Sequence, residues 1–329
     1  MRELTYVEAI NEALIEEMER DERVFIIGED ISIGYGGGGI FGATKDLIKK
    51  FGPNRVIDSP LSESALAGCG VGAALVGLRP IVEIMFADFL TIAMDQVVNC
   101  AAKMRWALGG NVDVPVVYRT AYGAGVGAAL HHSQSFEAWF AHVPGLKVVM
   151  PSDPADAKGL LKASVRDNDP VIFFEHKYLY RRLRGSVPEG EYIIPIGKGD
   201  VKRSGSDLTM VALGAMVHKA MEAAEILEGR GISVEVIDPR TILPFDYELI
   251  LNSIRKTGRI IIIHEAPVTG GFGAEIAAFL ADRGLDYLDG PVKRIGGMFC
   301  PVPSSHKLEK YYLPDVERIL KAVSEIISF

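Results

Sequence analysis

The sequence predicts an α/β protein of two three-layer domains, each a mainly parallel sheet with helices on both faces. Three observations predict it. Short apolar strands alternate with amphipathic helices along most of the 329 residues, the pattern of sheets buried on both sides. The alternation lapses over 178–206, where Gly, Pro, Arg and Glu dominate, and then resumes. A chain of this length with 48% hydrophobic residues can fill two ordinary cores. The expected organisation is a first domain over 1–180, a linker over 181–206 and a second domain over 207–329.

Each element has its own signal. Thr5 and Glu8 make a capping box, and Val7, Ile10, Leu14 and Met18 follow at helical spacing. Residues 24–27 form an apolar strand ending at Gly28-Glu29-Asp30, before a glycine-rich loop over 34–39. A strand over 55–58 leads through Pro60-Leu61-Ser62-Glu63 into a helix from Ser64 dense in Gly and Ala. Residues 81–86 read as a buried strand, followed by one helix over 89–106. A strand over 114–118 precedes a loop with Gly123, Gly125 and Gly127, and a helix follows His131-His132-Ser133-Gln134. Strands over 146–150 and 171–174 flank a helix over 153–165. The second domain is read as strands over 208–213, 233–237 and 259–264, with helices over 218–228, 247–256 and 274–282.

Composition excludes several function classes. Net charge is −8, and the one basic cluster, 177–184, is short, so there is no nucleic-acid footprint. The acidity serves solubility or docking to a basic partner. Cys69, Cys100 and Cys300 lack metal-type spacing and read as reduced thiols of a cytoplasmic protein. The N-terminus lacks the apolar stretch of a signal peptide. The longest apolar run, 65–78, is too short and glycine-rich to span a bilayer and reads as a buried or intersubunit helix.

Glu63 is the foremost catalytic candidate. A helix N-terminus favours an ionised carboxylate. Each helical glycine costs roughly 1 kcal/mol relative to alanine, so a glycine-dense helix here implies close approach of another backbone or a flat ligand. Gly68 to Ala73 with Asp88 formally match a dinucleotide fingerprint. That match is rejected, because residues 59–67 separate it from the strand, whereas the fingerprint opens the turn directly. The glycine loops at 123–127 and 270–273 each read as a turn or as an anion site. His131 and His132 either exchange protons near neutral pH or cap a helix. Glu29 and Asp30 end a strand where open α/β sheets bind ligands, or cap the next segment; Phe86 ends its strand on the same side, or is core. There is no serine elbow, Walker-type loop or Cys/His metal cluster. The residues alone thus give a two-domain α/β protein with a carboxylate-centred site.

In order, the segments Gly28-Glu29-Asp30, Asp58-Ser59-Pro60-Leu61-Ser62-Glu63, Gly77-Leu78-Arg79-Pro80, Asp95-Gln96-Val97, His132-Ser133-Gln134, Pro144-Gly145-Leu146-Lys147-Val148-Val149, Asp167-Asn168-Asp169-Pro170 and Pro239-Arg240-Thr241 run through the chain. Together they resemble the β subunit of the thiamine-diphosphate-dependent decarboxylase component of 2-oxo acid dehydrogenase complexes, a family that includes pyruvate, branched-chain and acetoin dehydrogenases. The likeness covers essentially the whole chain. It implies a pyrimidine-binding thiamine diphosphate fold followed by a transketolase C-terminal-like domain.

The resemblance implies roles. Glu63 matches the glutamate that hydrogen-bonds the cofactor's pyrimidine nitrogen. That bond favours the imino tautomer that deprotonates the thiazolium carbon. Phe86 matches the aromatic packed on the pyrimidine, and Leu61 falls among the cofactor-binding positions. Glu29 matches an acid in the polar channel between paired sites. His132 matches a histidine that assists transfer to the lipoyl group, although family sequences usually have Gln where this chain has His131. Ser164, Asp167 and Asp169 match a segment whose backbone carbonyls hold a potassium ion.

The Gly-Asp-Gly segment and later Asn pair that hold magnesium and the diphosphate are absent. The resemblance therefore implies an α subunit holding magnesium, an α2β2 heterotetramer, and docking of the dihydrolipoyl acyltransferase core with its lipoyl domain. The apolar end Ile326-Ile327-Ser328-Phe329 either meets a small basic domain of that acyltransferase or is a frayed helix end. No nucleic acid or membrane partner is expected. Residues 175–180 and 36–39 lean toward the pyruvate and acetoin branches. Half of a split transketolase and a non-catalytic assembly subunit are the alternatives.

Overall fold

The computed structural model describes residues 1–34 and 37–327. The expectations for Gly36, Ser328 and Phe329 fall outside these residues. The chain forms two compact units: Met1–Tyr122 with Trp139–Ile196, and Gly123–Ala138 with Gly197–Phe329. Among the described residues no helix is long and apolar enough to cross a membrane.

The first unit begins with β1 (Arg2–Thr5), α1 (Tyr6–Arg20), β2 (Val24–Glu29), α2 (Leu47–Phe51), β3 (Val56–Ser59), α3 (Glu63–Leu75) and β4 (Arg79–Phe86). α4 (Ala102–Ala107), β5 (Val117–Tyr122), α5 (Glu137–Ala141), β6 (Lys147–Val149), α6 (Pro154–Arg166), β7 (Val171–His176) and β8 (Arg184–Val187) follow. The Thr5–Glu8 capping box forms as expected. Within the unit, strands pair in the order β6-β7-β5-β4-β2-β3, all parallel. Val24, Ile26, Ile81, Val82, Ile84 and Phe173 are buried in this sheet.

β3 lies on one side of β2 and β4 on the other. The chain thus reverses its direction of travel across the sheet at β2. A crevice opens outside the strand ends at such a switch point.

Charge also holds the unit together. α1 packs on α6. Buried Lys158 and Lys162 reach Glu16 at 2.7 and 2.6 Å, and Arg166 reaches buried Glu17 at 2.5 Å.

In the second unit β9 (Asp200–Arg203), β10 (Leu208–Ala212), α7 (Met216–Glu228), β11 (Val234–Asp238), the short β12 (Thr241–Leu243), α8 (Tyr247–Thr257) and β13 (Ile260–Pro267) come first. α9 (Gly273–Arg283), β14 (Lys293–Gly297), α10 (His306–Tyr312) and α11 (Val316–Ile327) complete it. Its sheet runs β14-β13-β10-β11-β9, parallel except for β9 at the edge.

Three sequence expectations differ. The stretch 178–206 is not structureless, for it holds β8, antiparallel to β1, and β9. Both are four residues long and mostly polar, so they carry no apolar run. The single helix over 89–106 is three pieces: a 3-10 turn at Ala87–Thr91, a π-helical stretch at Gln96–Ala101, and α4. β5 starts at Val117 rather than 114, because Pro115 has no N–H for a central ladder.

Candidate functional site

The switch point gathers the predicted carboxylates of the first unit. Glu29 is the last residue of β2 and is 4% exposed. Ser62 caps α3 without using its own side chain on the helix. Instead its N–H donates to Glu29 Oε1 at 3.0 Å. A carboxylate from a neighbouring strand therefore satisfies a backbone donor beside the helix cap. Glu63 is the first helical residue and is buried. The other Glu29 oxygen, Oε2, is buried and meets no hydrogen-bond partner among the described residues. Burial raises the Glu29 pKa; the Ser62 amide opposes this, and the charges of Glu63 and Asp30 add to it.

The loop after β2 is anchored close by. Asp30 adopts a positive φ of 56°, and Ser32 donates through N–H and hydroxyl to Asp58. Gly28 is required, since a Cβ there would lie 2.8 Å from Ile31 Cγ2 and 3.0 Å from the Glu83 carbonyl. Phe86 ends β4 and sits edge-on between Phe41 and Phe89, with centroids 5.6 and 5.9 Å away. Leu61 is 79% exposed at the α3 entrance.

Sequence reasoning missed a buried charge cluster beneath this aromatic group. Arg119 of β5 forks onto Glu175 at 2.7 and 2.8 Å and reaches Glu83 at 2.7 Å. The Tyr180 hydroxyl donates to Glu175 at 2.7 Å. Two carboxylates face one guanidinium, and burial raises the Glu175 pKa against the pull of Arg119. A cavity of about 10 Å³ lies between Phe41, Glu83, Arg119, Thr120, Glu175 and Tyr180, room for about one water. The signal lay in charged residues inside apolar strands.

His132 lies in 123–138 and so belongs to the second unit, with exposed neighbours His131 and Leu130. The glycine loop over 270–273 is a packing device. A Cβ on Gly271 would lie 2.6 Å, and one on Gly273 2.7 Å, from the buried His264 ring. Burial brings the His264 pKa down to about 4. A cleft of about 660 Å³ in the second unit is lined by Asp207, Arg255, Lys256, Arg259 and Asp289 among others, and holds no predicted site residue.

The segment matched to potassium coordination is held by cationic side chains. Arg79 donates to the carbonyls of Val165 and Asp167, both at 2.9 Å, and to Asn168 Oδ1 at 2.8 Å. The Ser164 carbonyl accepts the Asp167 N–H at 3.3 Å. Lys147 and Arg105 hold the Asp167 and Asp169 carboxylates. A potassium ion held at this turn would have to share the Asp167 carbonyl with Arg79. Among the described residues no three His, Cys, Asp or Glu side chains cluster as a metal cage.

The glycines of α3 divide. A Cβ on Gly70 would sit 2.6 Å from Val82 Cγ2, so the sheet requires this glycine. A Cβ on Gly72 would meet nothing within 4 Å.

Comparison with known proteins gives a consistent picture. Residues 2–182 match the family model "Transketolase, pyrimidine binding domain", and residues 197–319 match "Transketolase, C-terminal domain". The chain is 48% identical to the 2-oxoisovalerate dehydrogenase subunit beta of Bacillus subtilis, covering 100% of both chains. It is 47% identical to that organism's acetoin:2,6-dichlorophenolindophenol oxidoreductase subunit beta, covering 99% of this chain and 98% of that one. It is 44% identical to its pyruvate dehydrogenase E1 component subunit beta, covering 100% of both. A solved structure described as a split gene transketolase, inactive beta4 tetramer, superimposes with a TM-score of 0.80 at 25% identity, covering 99% of this chain and 98% of that one. With both domain models matched and full-length relatives near half identity, the chain belongs to the β-subunit family of thiamine-diphosphate-dependent 2-oxo acid dehydrogenases.

Proposed function

We propose that this chain supplies the pyrimidine-binding half of a 2-oxo acid dehydrogenase active site, with Glu63 as its central residue. The observation that carries the reading is the placement of Glu63, Glu29 and Phe86 at one switch point, with Glu29 bonded to the cap of the Glu63 helix. The residues suit a flat, nitrogen-containing ring. Phe86 offers an aromatic surface, and two buried carboxylates, one with an unpartnered oxygen among the described residues, offer acceptors for ring protons.

Thiamine diphosphate, when bound, supplies the electron sink that decarboxylation needs. Glu63 holds a proton at the pyrimidine nitrogen and so governs the tautomer of the ring. Phe86 would pack on the ring, and Leu61, exposed at the α3 entrance, would be among the residues that hold it. Glu29 fixes the Ser62 backbone, and burial together with the nearby charge of Glu63 raises the Glu29 pKa. His132 assists acyl transfer to the lipoyl group.

The partner is an α subunit that carries the magnesium and diphosphate segments missing from this sequence, in an α2β2 assembly. The second domain docks the acyltransferase core. Potassium coordination by the carbonyls of Ser164, Asp167 and Asp169 and a cytoplasmic location belong to the same reading.

The test is reconstitution with the α partner that co-purifies from the native cell. Turnover of a 2-oxo acid or acetoin that requires both chains and thiamine diphosphate supports the reading. Absence of any such turnover from the intact heteromer contradicts it. The three B. subtilis relatives span 44–48% identity, so a panel of pyruvate, branched-chain 2-oxo acids and acetoin decides the substrate. Transfer between sugar phosphates by the same assembly is the outcome expected of the split-transketolase alternative.

A further inference from the structure

The loop over 123–127 stands in the sequence as a flexible turn or a phosphate cradle. In the structure an anion fills it, and the anion is the chain's own. Ala124 N–H donates to Glu265 Oε1. Gly125 N–H donates to Glu309 Oε1 at 2.7 Å, and Gly127 N–H reaches both Glu309 oxygens at 3.2 and 2.9 Å. Gly123, Gly125 and Gly127 all have positive φ, the geometry that turns successive amides to one side. Both carboxylates are buried. Buried carboxylates are tolerated when such donors satisfy them, and these charge-assisted bonds are among the stronger ones.

Three features make this more than a local turn. Ala124 packs into a small core with Val302, Tyr312 and Leu313. Gly123 N–H donates to the Gln134 carbonyl at 3.4 Å, closing 123–134 into a loop whose ends meet. His132 stands inside that closed loop, half-buried between exposed His131 and buried Ser133. The loop's start is therefore clamped by side chains of β13 and α10, and its far end is tied back to that start.

We propose that Glu309, seconded by Glu265, is a positioning residue for acyl transfer: it clamps the 123–134 loop so that His132 is presented in one place to the lipoyl-bearing partner. The proposal rests on the reading of His132 given above. It assigns the second domain a part in the reaction as well as in docking.

The test uses the holoenzyme assembled with its α partner, as wild type, Glu309→Ala, Glu309→Gln and His132→Ala. Three quantities are read: decarboxylation with 2,6-dichlorophenolindophenol as acceptor, reductive acylation of lipoyl groups on the acyltransferase core, and amide hydrogen exchange across 123–134. The expected result for Glu309→Ala is faster exchange and acylation lowered about tenfold through kcat, with dye-linked decarboxylation falling less than about threefold. Glu309→Gln, which keeps an acceptor oxygen, falls between this variant and wild type. Equal loss of both activities in Glu309→Ala, or in Glu309→Gln where the alanine variant does not fold, overturns the proposal. So does wild-type acylation in these variants while His132→Ala loses it. Undiminished acylation in His132→Ala sinks the reading of His132, and the proposal with it, whatever Glu309 does.

Discussion

Glu29 Oε1 accepts the Ser62 N–H at 3.0 Å, tying the end of β2 to the cap of α3. This bond joins two segments 33 residues apart and sets the carboxylate of Glu29 against that of Glu63. Glu29→Gln keeps an oxygen for Ser62 and removes the like charge. Its unfolding midpoint in urea is expected at or above wild type, while Glu29→Ala loses about 1–2 kcal/mol. A glutamine variant less stable than the alanine variant contradicts this geometry.

Glu137 gives the sharpest pH dependence. Its carboxyl is buried, neither oxygen meets a hydrogen-bond partner in another described residue, and burial, with the charge of Glu265 adding, pushes its pKa up to about 7. Between the unfolded value of 4.5 and 7 the folded chain holds a proton that the unfolded chain releases. Stability from this group therefore falls across that window, by about 3 kcal/mol in total, and is flat outside it. Glu137→Gln is expected to remove that fall and to exceed wild type at pH 8. Parallel stability–pH curves for the two proteins between pH 4 and 8 are the contrary result.

Arg119 is almost fully buried against Glu83 and Glu175. Arg119→Met leaves two carboxylates without their cation, so a loss of about 3–5 kcal/mol is expected at neutral pH. Because protonation relieves the stranded charges, part of this loss should be recovered near pH 5. A pH-independent loss would show that packing, not charge, carries the cluster.

The α3 glycines separate two reasons for a glycine-dense helix. Gly70→Ala drives a methyl into Val82 and is expected to destabilise the purified chain by about 1–3 kcal/mol. Gly72→Ala meets open space and is expected to stabilise it by about 0.5–1 kcal/mol. If α3 lies in the α–β seam, Gly72→Ala also weakens assembly with the α partner, measured by sedimentation at fixed concentration. The same sign for the two glycines in the purified chain, or the reverse order, defeats the packing argument.

The sheets were legible because buried parallel strands are continuous apolar runs: β2, β4, β10 and β13 announce themselves. β1, β8 and β9 did not, because short edge strands need only backbone pairing and carry polar side chains. Glu63, Glu29 and Phe86 could be picked out because strand ends and helix starts are where such sheets bind ligands. The Arg119 cluster was hidden, since a lone arginine in a strand looks like a solvent-facing residue until its partners on β4 and β7 are known. The clamp on Gly125 and Gly127 was hidden for a different reason: Glu309 is 184 residues away from Gly125, and no local pattern links them.

The most direct measurement concerns Glu63 in the reconstituted heteromer. Glu63→Gln keeps the shape of the α3 N-terminus and removes the proton partner. Thiamine-diphosphate-dependent turnover of the 2-oxo acid is expected to fall by about 100-fold or more, with the α–β assembly intact by sedimentation. Turnover within about threefold of wild type, in a fully assembled Glu63→Gln enzyme, would contradict a carboxylate-centred site at the β2–β4 switch point.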